Sequence, residues 1–186
     1  MSGDTTKYKK AIFASGCFWG TQYYLAKGKG VISTEVGFTG GTKDNPTYKE
    51  VCTGKTGHTE SIQIEFDPTV IPYEKILDVF WHTHDPTTLN RQGNDVGTQY
   101  RSAIFYHNPK QKEIAEKSKR DLEKAGVYKN PIVTEITPFK NFYVAEDYHK
   151  NYYEEHQDAP YCSVVINPKV RKLIQKYGND LENKYK

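Results

Sequence analysis

The chain has 186 residues, 36% of them apolar and 26% charged, with 15 tyrosines and a formal net charge of +3. That length suits one domain with a buried core. The weak, scattered positive charge does not by itself argue for a nucleic-acid binder, and no segment approaches the ~18 apolar residues of a membrane span.

The elements follow in chain order. A polar tail over 1–10 lacks the apolar centre of a secretory signal, so the expected compartment is the cytoplasm. Ala11-Ile12-Phe13-Ala14 reads as the centre of a buried strand over 10–15. Gly16-Cys17-Phe18-Trp19-Gly20 follows. An amphipathic helix over 21–27 then stops at Gly28. A strand over 31–37 leads into a long Gly- and Thr-rich loop over 37–57. Over 59–66, Ile62, Ile64 and Phe66 alternate with Ser61, Gln63 and Glu65, which predicts a strand with one buried and one wet face. Pro72 opens a helix through Ile76, Leu77 and Phe80. A second long loop occupies 84–99, and a strand follows over 101–106. Asn108-Pro109 opens a helix that ends near Gly126, and a strand is expected over 132–136. A loop over 157–163 carries Cys162. Asn167-Pro168 then opens a terminal helix striped with Val170, Leu173, Ile174, Tyr177 and Leu181. Interleaved strands and helices point to a sheet covered by helices, and loops as long as these two are usually functional.

Three cysteines, Cys17, Cys52 and Cys162, form neither a disulfide framework nor a paired metal motif. Cys17 sits where a strand turns into a helix, and there backbone N–H groups and the helix dipole favour a thiolate. The plain alternative is a buried cysteine packing as a small hydrophobe. Cys52 reads as such a packed thiol. Glu60 falls on the apolar side of its strand, where desolvation raises a carboxyl's pKa and keeps a proton available near neutrality. Tyr48, Asp95 and Tyr100 lie in or beside the long loops, with packing as their plain reading. His82 and His84, like His149 and His156, lack the spacing of a helical metal pair, so no metal site is expected. A cysteine hydrolase would need a histidine activating Cys17, with His58 and His149 as candidates. A thiol–disulfide exchange protein would more naturally carry Cys-x-x-Cys.

Four runs carry a resemblance: Gly16-Cys17-Phe18-Trp19-Gly20, Gly57-His58-Thr59-Glu60, the stretch from Arg91-Gln92-Gly93-Asn94-Asp95 to Gln99-Tyr100-Arg101-Ser102, and Ala145-Glu146-Asp147-Tyr148-His149. In this order, from about Lys9 to Leu173, the chain resembles the A-type peptide-methionine sulfoxide reductases. The resemblance implies a single α/β (α+β) domain over 1–186, its core at about 9–175. It implies a mixed sheet covered by helices around a ferredoxin-like two-layer sandwich. It implies reduction of methionine-S-sulfoxide, free or in proteins, as repair of oxidative damage. Cys17 matches the nucleophile and Glu60 the acid that protonates the sulfoxide oxygen. Phe18 and Trp19 match the pocket for the methyl group, and Tyr48, Asp95 and Tyr100 the polar groups around the oxygen. Cys162 matches a resolving cysteine whose disulfide with Cys17 thioredoxin reduces. No cofactor or metal is implied, the expected state is a monomer, and neither nucleic acid nor a membrane is a partner. Two positions depart from the pattern. Gln22 stands where glutamate is common, leaving its part in positioning the helix start open, and Val144 stands where proline is frequent. The length leaves no room for a fused B-type domain.

Overall fold

The structure, a computed structural model, describes residues 8–178. Most of the polar tail expected at the N-terminus, and Leu181 of the terminal stripe, lie outside the described residues. Six strands form one sheet: β1 (Lys9–Ser15), β2 (Val31–Thr39), β3 (Thr59–Phe66), β6 (Ser102–Tyr106), β7 (Glu135–Pro138) and β8 (Phe142–Val144). Their order is β7-β6-β1-β3-β2-β8. Only β7 runs parallel to its neighbour. The inner four strands, with helix α1 (Phe18–Ala26) between β1 and β2 and α3 (Tyr73–His82) between β3 and β6, make the split βαβ arrangement of a ferredoxin-like core.

Strand β1 lies between β3 and β6, which is why its apolar run is continuous. Phe13 packs with Ile64, Leu77 and Phe80 on the helix face. Ile12, Ala14 and Phe105 face the other way, against Phe139 and Phe142. The same central position corrects the expectation of a wet face on β3. Ser61 is fully buried, and only Gln63 and Glu65 reach partial exposure.

Several elements differ from the expected ones. Helix α1 starts at Phe18, not at 21, because Cys17 C=O already accepts from Thr21 N–H at 3.3 Å. It is also not amphipathic: Phe18, Gly20, Thr21, Gln22, Tyr24 and Leu25 are all buried. The first long loop contains α2 (Tyr48–Cys52), begun by a reciprocal cap in which Thr47 and Glu50 satisfy each other's backbone N–H groups. The second contains a tight hairpin of β4 (Arg91–Gln92) and β5 (Asp95–Val96). The strand expected over 132–136 is displaced to β7, since 132–134 enter the core without pairing. Helix α4 (Pro109–Ala125) is capped by the Asn108 side chain and ends at Gly126, as the sequence predicts. A short helix α5 (Tyr152–Glu155) precedes the C-terminal segment. There, the loop expected around Cys162 is instead helical. A π-helical turn, Cys162–Ile166, runs directly into α6 (Asn167–Tyr177).

Candidate active site

Cys17 lies at the C-terminal end of β1. Gly16 makes the turn, at φ +99°, and a Cβ there would sit 2.8 Å from Gln92 Cγ. A side chain would both strain the backbone and push away the β4–β5 hairpin, which Gln92 ties down by exchanging hydrogen bonds with the Asp85 backbone (3.0 and 2.9 Å). Gly20 has a different use: it is helical, and the Tyr24 ring packs 3.1–3.3 Å from where its Cβ would be.

Because β3 runs antiparallel to β1, its first residues meet the end of β1. Glu60 therefore arrives beside Cys17, and its Oε1 accepts from Phe18 N–H at 3.1 Å. Glu60 is 1% exposed, and its Oε2 is buried without a partner. Burial raises its pKa to about 8, against the pull of the Phe18 N–H, with the charge of Asp95 adding to the rise. The carboxyl is thus protonated at neutral pH, as its place on the apolar face predicts.

Cys17 departs from expectation. Burial, and then the charge of Glu60, raise its pKa well above the ordinary value. The Trp19 N–H and the Tyr161 hydroxyl pull the other way without prevailing. The helix start acts in the expected direction but is outweighed by the dry surroundings.

The aromatic side of the site is built from distant parts of the chain. Phe18 is fully buried and packs on Tyr48 (6.1 Å), Phe38 (5.7 Å) and His149 (5.1 Å). It backs the pocket, while the partly exposed Trp19 forms the accessible wall. Trp19 stacks on Tyr152 at 3.9 Å and donates from Nε1 to His149 Nδ1 at 2.9 Å. Tyr48 opens α2, where its backbone N–H donates to Glu146 at 3.0 Å. Burial and the Glu60 charge raise the pKa of both Tyr48 and Tyr100, so both hydroxyls stay protonated as donors. Asp95, on β5, accepts a hydrogen bond from Tyr161.

The structure therefore brings Cys17, Glu60, Phe18, Trp19, Tyr48, Asp95 and Tyr100 to one end of the sheet. Cys162 is fully buried in a separate cluster with Tyr24, Tyr153, Ile166 and Leu173, and its thiol is unpaired. Cys52 is exposed, not packed, and hydrogen-bonded to the Tyr48 side chain. Neither histidine proposed for a hydrolase activates Cys17. His58 binds Gly41 N–H and Lys43 C=O, and His149 binds Trp19. Gln22 ties α1 to β2 through Thr34 (3.0 Å) and accepts from Asn151 N–H (2.9 Å), so it holds the turn before Tyr152 and not the helix start. The sequence assigns no role to Glu146, Tyr152 and Tyr161, and to His149 only that of a candidate activator of Cys17. The only signal for them was membership of the quoted runs, or a neighbouring position.

The family described as peptide methionine sulfoxide reductase matches residues 9–182. The chain belongs to the peptide methionine sulfoxide reductase family. A peptide methionine sulfoxide reductase MsrA of Methanosarcina acetivorans is 59% identical over 147 residues, which is 79% of this chain and 78% of the relative. The solved structure of Mxr1 from Saccharomyces cerevisiae in reduced form superposes with a TM-score of 0.79 at 38% identity, covering 86% of this chain and 91% of that one. Mxr1 in complex with Trx2 gives a TM-score of 0.58 at 28% identity, over 82% of this chain and 89% of that one. In this reductase, no helix among the described residues is long and apolar enough to cross a membrane.

Proposed function

We propose that this reductase acts on methionine-S-sulfoxide, free or in oxidised proteins, with Cys17 as nucleophile, Glu60 as acid and Cys162 as resolving thiol. The observation that carries the reading is the buried Glu60 carboxyl beside Cys17, with one oxygen unpartnered and a pKa near 8. A sulfoxide oxygen is a poor leaving group until protonated. Glu60 supplies that proton, and Tyr48 and Tyr100 hydrogen-bond the oxygen as its charge develops. The Cys17 thiolate attacks sulfur, and the S–O bond breaks. The hydroxyl, carrying the Glu60 proton, passes to the Cys17 sulfur as the newly formed bond between the two sulfurs breaks, so methionine leaves and Cys17 is left as a sulfenic acid. One negative charge passes from sulfur to the Glu60 carboxylate. The thiol of Cys162 then condenses with the sulfenic acid, releasing water and forming a disulfide. Trp19 offers an apolar wall to the sulfoxide methyl, and the handed arrangement of wall and acid selects one epimer.

A dithiol must restore the two thiols, and thioredoxin is the proposed donor; the yeast Mxr1–Trx2 complex supports this reading. Catalysis by a monomer in the cytoplasm completes the proposal. The burial of Cys162 makes release of the C-terminal segment a required step. In Cys162→Ser, one equivalent of methionine per enzyme should appear in a burst, with Cys17 trapped one oxygen heavier by mass spectrometry. Thioredoxin-driven turnover should stall, while dithiothreitol restores part of it. Normal thioredoxin turnover in this variant would remove Cys162 from the mechanism.

A further inference from the structure

Cys17 lines a cavity of about 440 Å³. Its walls include Tyr24, Asp95, Tyr161, Ile166 and Lys169. Lys169 lies in the first turn of α6, half-buried, and is the one cation among the described residues lining this cavity. It also borders the neighbouring groove with His84 and Asp85.

The reactive state described above, which this inference rests on, places a thiolate on Cys17 while Glu60 is neutral. That thiolate sits in dry surroundings with Asp95 nearby, so the cavity holds anionic charge that a low-dielectric site does not tolerate without a partner. We propose that Lys169 is the counter-charge of the Cys17 thiolate, a positioning residue that makes the first half-reaction possible by holding negative charge on sulfur.

The groups facing Lys169 come from every side of it. Burial prevails and lowers the Lys169 pKa, while Asp95 of β5, Cys17 and Asp85 each favour its charged form. His84, buried after α3, is kept neutral by burial, with Lys169 adding to that effect, so it brings no competing charge. Tyr161 and Tyr24, both held protonated by burial, are neutral. Lys172 and Lys129 line the outer groove and not the Cys17 cavity. The thiol's own setting is dominated by burial and by Glu60. Lys169 therefore offsets these influences in part and does not abolish them. It stands on the same continuous helical segment as Cys162, seven positions on. The residue that supports the nucleophile and the residue that consumes its oxidised form thus move together.

The test is alkylation of the reduced full-length protein by iodoacetamide between pH 7 and 10.5, read separately at each cysteine by mass spectrometry. Cys52 serves as an internal reference because it is exposed and none of the charges that shift it is Lys169. Lys169→Met should slow alkylation of Cys17 about tenfold at each pH below its midpoint, a displacement of about one pH unit upward. Cys52 should be unmoved. Lys169→Arg should restore the wild-type profile, and single-turnover release of methionine should fall and recover in parallel. A Cys17 profile in Lys169→Met that superposes on wild type overturns the proposal. So does an equal shift in the Met and Arg variants, which would assign the effect to packing. If Lys169→Met does not fold, as circular dichroism would show, Lys169→Gln carries the same comparison. The alkylation profile needs no reductase activity, so it separates failure of this inference from failure of the proposed reaction.

Discussion

Replacing Glu60 with glutamine tests the site through two independent readouts. The amide keeps the shape and can still accept from Phe18 N–H, but it cannot ionise or act as an acid. Wild-type Glu60 titrates at about 8 in the folded protein against an ordinary 4.5. Between those values the folded state holds a proton that the unfolded state has lost, so stability falls as pH rises. The loss is ~1.4 kcal/mol per pH unit, or about 3 kcal/mol between pH 5 and pH 7. Glu60→Gln removes that slope. The new NH₂ takes the place of the unpartnered Oε2, whose proton in the neutral acid already lacks an acceptor, so the orphan donor is exchanged and not added. Urea unfolding at pH 5 and pH 7 should show wild type losing about 2–3 kcal/mol more than the variant over this interval. Single-turnover methionine release should fall ~10²–10⁴-fold, the usual worth of general acid catalysis. Parallel stability profiles would mean that Glu60 is ionised in the folded protein. A rate loss under about threefold would assign the proton to a tyrosine.

Cys17→Ser should leave a folded protein without turnover, since a hydroxyl is a far weaker nucleophile than a thiolate at neutral pH; activity near wild type would reject Cys17 as nucleophile. Trp19→Ala removes the stack on Tyr152 and strands His149 Nδ1, so it should cost about 1–3 kcal/mol in urea unfolding together with rate and substrate binding. Trp19→Phe, which keeps a ring but not the donor, should be intermediate in both measurements, and equality with Trp19→Ala would make the hydrogen bond the dominant loss. Cys52→Ser should leave single-turnover rates within about threefold of wild type, because serine can still accept from Tyr48. Collapse of thioredoxin-driven turnover in that variant would place Cys52 in the relay.

What the sequence reveals here depends on how local the cause is. The alternation over β3 places Glu60 on the apolar side with no knowledge of its neighbours, and burial is the main cause of the raised pKa, to which the distant Asp95 adds. The two long loops announce themselves by length and composition. They deliver Tyr48 through α2 and Asp95 through the β4–β5 hairpin, although the pattern does not disclose either element. Contacts across the chain are another matter. Trp19 meets His149 over 130 positions and Tyr161 meets Asp95 over 66, and no periodicity encodes such pairs. Cys52 and Cys162 were misplaced for the same reason. Whether a thiol is covered depends on what folds over it: nothing does so for Cys52, whereas the π-helical turn and α6 enclose Cys162.

The C-terminal segment gives the proposed reaction its direction. In the reduced state it supplies Tyr161, whose hydroxyl donates to Asp95 and lies beside Cys17, and it brings Lys169 to the same cavity. In the proposed role of Lys169, its charge favours negative charge on sulfur and so favours attack on the sulfoxide. Once the oxygen has transferred, Cys17 is neutral and the negative charge resides on Glu60. Tyr161 keeps its bond to Asp95, and of the charges facing Lys169 only the one on sulfur has gone. Cys162 can leave its apolar cluster only if the helical turn around it opens, and that opening is easier after the anchoring charge has moved. In the proposed sequence of events, moving one negative charge from sulfur to Glu60 removes one of the holds on Lys169, and so favours release of the segment that delivers the second thiol.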